Sequence, residues 1–249
     1  MKNVFRRLRG KLRQVERDEV RAVPCDLSVT VNHQNLIFQA IVPEDYSRIK
    51  TFDGEIEYFS RLARDLTKDD VFFDVGSFTG QVSCLAAKIC ERVVAVEPDG
   101  EFCERIRANA KLNGCKNILI DQCGLSNEPG ELLLNTSGGK GWAPSFLDKG
   151  LAERVSVPVK TLDGLVEKID LQPSVLKMDI EGFEFRALEG GKNTFENEAL
   201  RAVYIEFHPD FIMRAGGDLG RTLGFLSYYG FRFEFFEARK NEISAIARR

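Results

Sequence analysis

The residues able to do chemistry in this sequence gather at the ends of strand-like runs. In VFFDVGSFTGQ (71–81) a run of strand character carries Asp74, glycines follow at Gly76 and Gly80, and a helix-like VSCLAAKI comes next. Glu97 stands 21 residues after Gly76, at the end of the following strand-like run. Asp121, Gln122 and Cys123 close a third run, Asp179 a fourth, and Glu206 with His208 a fifth. In a parallel α/β sheet, ligands bind beyond the carboxyl ends of the strands at the topological switch point. These side chains are therefore the candidates for a site.

Two cofactors suit a glycine turn followed by a strand-end carboxylate, because Gly76 and Gly80 let the backbone approach a ligand and Glu97 suits a pair of ribose hydroxyls. An NAD site prefers G-x-G-x-x-G, which brings a helix N-terminus to the pyrophosphate. Here the stretch is D-V-G-S-F-T-G, lacking one of those glycines and placing Asp74 near the would-be phosphate. S-adenosylmethionine carries an ammonium, a sulfonium and no phosphate, so an acidic neighbour suits it better. An NAD-dependent oxidoreductase and a catalytically inactive binding module stay as the alternatives.

The elements needed to position these groups can be read from periodicity. VFFDV, VVAVE (93–97) and NILID (117–121) read as strands; QVSCLAAKI and EFCERIRANAKLN (101–113) read as the helices between them. Strands alternating with helices imply βαβ units and a parallel sheet. ELLLN (131–135) and VSVPV (155–159) read as strands around a glycine-rich loop that carries Trp142. TLDGLVEKI (161–169) reads as a helix, and SVLKMD (174–179), AVYIEF (202–207), FRFEFF (231–236) and EISAIA (242–247) as strands, the last two antiparallel. LSVTVNHQNLIFQAIV (27–42) alternates around a turn that holds His33 and reads as a hairpin, and GEIEYFSRLARDL (54–66) as an amphipathic helix. The fold class expected is α/β, a mostly parallel sheet with an N-terminal extension. Residues 1–66 form that extension and 67–249 the catalytic domain, with pocket walls from loops at 43–54, 136–150 and 208–220.

Composition bounds the function. The 249 residues are 43% hydrophobic and 29% charged, with 35 Lys plus Arg against 38 Asp plus Glu, a net charge of -3. That balance gives no basic surface for nucleic acid. No apolar run approaches the roughly 18 residues of a membrane span. The basic stretch 1–21 has Val4, Leu8, Leu12 and Val15 at helical spacing; a solvated lead-in helix is expected, with peripheral contact to an anionic membrane as the alternative. Six cysteines without a C-x-x-C pair read as free thiols of a cytoplasmic protein.

The stretches FDVGSFTG (73–80), AVEPD (95–99), VPVKTLDGL (157–165), LKMDIEGFE (176–184) and IEFHP (205–209), in this order, resemble the FkbM family of S-adenosylmethionine-dependent methyltransferases. The resemblance implies a class I methyltransferase fold, a seven-stranded sheet with one antiparallel strand near the end. It also implies O-methylation of a hydroxyl on a sugar, glycan or natural-product-type small molecule. By the same resemblance Gly76, Ser77 and Gly80 hug the methionine end of the cofactor, and Asp74 faces its ammonium directly or through water. Glu97 takes the ribose hydroxyls, Asp121, Gln122 and Cys123 lie along the adenine, and Asp179 sits beside the reacting methyl. Ser77–Phe78 departs from the family, which often has Ala–Asn there.

Methyl transfer is an in-line displacement that depends first on alignment. A hydroxyl acceptor also gains from a general base. Asp179 and His208 are the candidates, with Glu206 sharing a strand face with His208 and able to hold or tune it. A histidine near its ordinary pKa of about 6.5 would suit that task. Glu184 is expected to serve only as a favourable charge at a helix start. Alternatively Asp179, Glu206 and His208 hold a divalent cation that polarises the hydroxyl.

Overall fold

The computed structural model describes residues 23–136, 144–147, 154–236 and 242–249. The basic stretch 1–21 and Trp142 lie outside the described residues. β1 (Cys25–Val31) and β2 (Gln34–Ala40) form the hairpin, turning at Asn32 and His33, both with positive φ. Where a pocket-wall loop was expected at 43–54, α1 (Pro43–Thr51) and a 3-10 turn (Phe52–Gly54) are found, followed by α2 (Ile56–Asp65). Pro43 at the first helical turn with Glu44 and Asp45 behind it is a helix start that periodicity alone does not reveal.

β3 (Val71–Val75), α3 (Gln81–Ala87), β4 (Arg92–Val96), α4 (Gly100–Leu112) and β5 (Ile118–Asp121) follow as the pattern predicts. β6 (Gly124–Leu125), β7 (Gly130–Asn135) and β8 (Arg154–Lys160) make a separate three-stranded sheet. Next come α5 (Leu162–Ile169), β9 (Val175–Met178), α6 (Glu184–Glu189), α7 (Lys192–Glu196) and β10 (Ala202–Phe207). The expected loop 208–220 is instead α8 (Pro209–Arg214) running on to α9 (Leu219–Tyr228). β11 (Arg232–Phe235) and β12 (Ile243–Arg248) finish the chain.

The central sheet has the order β11-β12-β10-β9-β3-β4-β5. β9, β3, β4, β5 and β10 are parallel, while β12 runs antiparallel to both of its neighbours. Successive residues serve opposite faces, as a two-residue period requires. Phe72, Val93, Val175 and Tyr204 join one core with the hairpin, α2 and α3; Phe73, Val94, Leu176 and Val203 join the other with α5, α6 and α9. The chain leaves β3 toward β4 and β5, then returns to place β9 on the other side of β3. The switch point is thus the carboxyl edge of β3 and β9, where the glycine turn and Asp179 lie.

α1 and the hairpin are fastened beside that edge. Asp45 accepts from the N–H groups of Ile41 (2.8 Å) and Val42 (3.1 Å), and from Arg105 of α4 at 2.7 Å. Asn113, which caps the C-terminus of α4, exchanges hydrogen bonds with the backbone of Ile37, and Asn109 of α4 accepts from Gln39 N–H while donating to the Thr79 carbonyl of the glycine turn. All six cysteines are free thiols. Among the described residues no helix is long and apolar enough to cross a membrane.

Candidate active site

A cavity opens at the switch point, walled by the glycine turn, the ends of β4, β9 and β10, the β6 strand and α1. The turn is shaped from below: the N–H groups of Gly76 and Ser77 donate to the Val96 carbonyl, and the Ser77 hydroxyl donates to the Asp74 carbonyl at 2.6 Å. Gly76 has a φ of +79°, and a Cβ there would collide with the Asp179 carbonyl oxygen. Only glycine lets β3 and β9 close up at this edge.

Glu97 lines the cavity and is 3% exposed. It accepts from the N–H of Phe78 at 2.8 Å and of Asp99 at 3.0 Å. A carboxylate offers about four acceptor sites, so two remain for further donors. Burial pushes its pKa up to about 8, against the pull of those two N–H groups and of Lys177.

Asp74 is placed differently from the sequence expectation. It is fully buried and does not line the cavity. Its carboxylate accepts from the Ser83 hydroxyl at 2.6 Å and lies 3.5 Å from the Lys177 ammonium. Burial pushes its carboxyl up and Lys177 opposes. The side chain points back to α3, so Asp74 does not meet a ligand's ammonium directly. Gly80, Asp121 and Gln122 also lie outside the cavity wall, whereas Cys123 is part of it. Asp121 is turned toward Lys160 (2.5 Å) and Lys168 (3.7 Å); these partners outweigh burial and hold its carboxyl below the usual range.

The catalytic candidates come together. Asp179, Glu206 and His208 all line the cavity. His208 Nδ1 lies 3.1 Å from Glu184 Oε1, and Nε2 lies 3.8 Å from Asp179 Oδ1. The partner that fixes the imidazole is therefore Glu184, whose carboxylate also accepts from Gly182 N–H. The ordinary histidine pKa expected from sequence is not kept. Burial pulls it down, but the hydrogen bond to Glu184 and the charges of Asp179, Glu184 and Glu181 push it up to about 10. His208 is a cation at neutral pH and has no lone pair ready for a proton. Ligand atoms of Glu206, His208 and Glu242 lie within 4.8 Å of one another, so Glu242 replaces Asp179 in the set with metal-binding spacing.

Three other side chains enter the wall. Lys177 donates to the Gly76 carbonyl at 2.8 Å and lies 3.7 Å from Asp179; burial lowers its pKa, but Asp74 and Asp179 raise it further. Arg48 of α1 stacks its guanidinium carbon 5.2 Å from the Phe78 ring centroid, and Phe78 packs on Phe102 at 4.2 Å. Phe78 takes a left-handed φ of +50°, a conformation that asparagine adopts more easily than phenylalanine.

A profile of the methyltransferase FkbM domain matches residues 74–233, more than half of the chain. The chain belongs to the FkbM methyltransferase family. Hexuronic acid methyltransferase AglP of Haloferax volcanii is 27% identical over 213 residues, which cover 83% of this chain and 82% of AglP. Methyltransferase FkbM from Methylobacillus flagellatus KT superposes with a TM-score of 0.50 at 16% identity, over 74% of this chain and 44% of that longer one. A precorrin 8W decarboxylase from Methanobacterium thermoautotrophicum superposes with the same TM-score at 15% identity, over 78% and 89% of the two chains. At such identities these likenesses speak for the fold alone: the class I methyltransferase sheet.

In this FkbM methyltransferase, sequence reasoning missed Arg48, Lys177, Glu184 and Glu242 as site residues. Lys177 and Glu184 sit inside LKMDIEGFE, a stretch that carried the resemblance, so that signal was present. Arg48 lies before the matched family region, in a segment read as loop. Glu242 reaches the site only because β12 pairs with β10, with Phe207 opposite Ile243.

Proposed function

We propose that this methyltransferase takes its methyl group from S-adenosylmethionine and delivers it to an oxygen of a sugar-type acceptor, free or within a glycan or natural product. The observation that carries the cofactor half is Glu97, a buried carboxylate at the end of β4 that opens on the same cavity as Gly76 and Asp179. Gly76 and Ser77 suit the methionine end, Glu97 the ribose hydroxyls, and Cys123 the adenine side. The acceptor half is supported by AglP, a hexuronic acid methyltransferase by name. We also assign the methyl-transfer unit to residues 67–249, with the preceding described segment as a cover on its glycine turn.

When bound, the cofactor supplies an activated methyl on a good leaving group. The protein's part is alignment, worth roughly 7–11 kcal/mol when geometry is held. Asp179, half-exposed at the cavity wall, accepts the acceptor hydroxyl's hydrogen as the new C–O bond forms. His208 stays protonated, its Nδ1 fixed by Glu184, and its Nε2 side orients Asp179. The Glu206–His208–Glu242 set favours a second reading, in which His208 gives up its proton and a divalent cation held by the three would order the acceptor's oxygens beside Asp179.

S-adenosylhomocysteine should raise the melting temperature by mass action and NAD should not. Labelled-methyl transfer into sugar, glycan and small-molecule pools should yield an O-methylated product by mass spectrometry. A shift with NAD and none with S-adenosylhomocysteine would end this reading. Activity lost to a chelator and restored by a divalent cation would favour the cation-assisted form.

A further inference from the structure

Among the described residues, three cationic side chains line the cavity: Arg48, Lys177 and His208. Two of them are already committed. Lys177 donates to the Gly76 carbonyl and lies between Asp74 and Asp179. His208 is held by Glu184 and faces Asp179. Arg48 differs, because its Nη1 is buried and has no hydrogen-bond partner. A buried guanidinium nitrogen without an acceptor is unfavourable, and an entering anion relieves it.

We propose that Arg48 binds the α-carboxylate at the amino-acid end of the cofactor, an inference that rests on the S-adenosylmethionine reading. Its position selects this anion over one carried by the acceptor. The guanidinium lies over the ring of Phe78, itself a residue of the glycine turn. The Gln81 side chain at the start of α3 donates to the Arg48 carbonyl at 3.3 Å, tying the two elements together. The acceptor-side groups gather elsewhere, around His208 at the ends of β9 and β10.

Arg48 is also held in place before a ligand arrives. One turn earlier in α1, Asp45 is clamped by two backbone N–H groups and by Arg105 of α4. The ring of Phe78 backs the guanidinium, and the unpartnered Nη1 offers its donors to an incoming carboxylate. This gives Phe78 a purpose where the family often has asparagine. It also places a cofactor contact in α1, ahead of the residues that define the family match.

The test compares S-adenosylhomocysteine with its decarboxylated analogue, S-adenosyl-3-thiopropylamine, which keeps the ammonium, by calorimetry on the full chain. The unaltered protein should bind S-adenosylhomocysteine at least about tenfold more tightly than the analogue, as expected for a charged hydrogen-bonded pair. Arg48→Met should remove most of that preference, weakening S-adenosylhomocysteine about 10- to 100-fold and the analogue less than about threefold. Arg48→Lys should retain part of the preference. Equal binding of both ligands by the unaltered protein would overturn the proposal, whatever the variants' stability. So would an Arg48→Met protein that keeps S-adenosylhomocysteine affinity but shows a raised KM for acceptor, which would assign Arg48 to an acceptor anion. Failure of the unaltered protein to bind either ligand would instead refute the cofactor reading on which the proposal stands, and the proposal with it.

Discussion

If Glu97 receives the ribose hydroxyls, cofactor binding is coupled to proton release. In the free protein burial holds the Glu97 pKa at about 8, so the neutral acid dominates at pH 7. Two hydroxyl donors favour the carboxylate and draw the pKa back toward its ordinary value near 4.3. Binding therefore prefers ionised Glu97, and affinity rises with pH up to the free-protein pKa. With a pKa of about 8, the ionised fraction is about 1% at pH 6, about 9% at pH 7 and about 50% at pH 8. The affinity for S-adenosylhomocysteine should then rise about tenfold from pH 6 to 7 and about fiftyfold from pH 6 to 8, then level off. Calorimetry in buffers of different ionisation enthalpy should find about 0.9 proton released per ligand at pH 7. Glu97→Gln cannot ionise; it should bind more weakly and abolish both the slope and the proton release. The raised pKa means that the stability from neutral Glu97 is present below about 4.5 and is lost as pH rises through about 8, a loss that Glu97→Gln should not show. Equal pH slopes in the parent and in Glu97→Gln would refute the assignment.

The remaining expectations concern the acceptor side and the cover. Because His208 stays protonated up to about pH 10, the transfer rate at saturating cofactor should not fall as pH drops through 6.5, and any decline tied to His208 should come on the alkaline side. His208→Gln should leave S-adenosylhomocysteine affinity intact while cutting transfer by roughly 10²-fold, because Asp179 loses its positioning partner; a pH–rate profile with an acid limb near 6.5 that disappears in this variant would restore His208 as the base. Asp45→Asn should cost about 3–5 kcal/mol in urea unfolding, because it leaves the Arg105 guanidinium buried without its counter-charge; a loss under about 1 kcal/mol would show that α1 is not fastened this way.

The sequence by itself determined the scaffold and the addresses of the site. Apolar runs such as VFFDV and AVYIEF are buried along almost their whole length, and a strand buried on both faces shows itself as a continuous apolar run. The glycine at 76 and the carboxylates at 97 and 179 were legible because the switch point of a parallel sheet always lies at strand ends, and Gly76 meets a backbone atom that no other residue would tolerate. Tertiary structure alone decided which side chains face the cavity. Asp74 stands in the middle of the legible motif, yet its side chain turns to Ser83 and Lys177 because the pleat directs it under the turn. Arg48 and Glu242 are far from the motifs in sequence and reach the cavity only through the anchoring of α1 on α4 and the pairing of β12 with β10. The protonation of His208 likewise depends on three carboxylates brought round it by folding. A residue's type and spacing give its intrinsic chemistry, but its charge and direction in the site are set by neighbours that are remote along the chain and close in space.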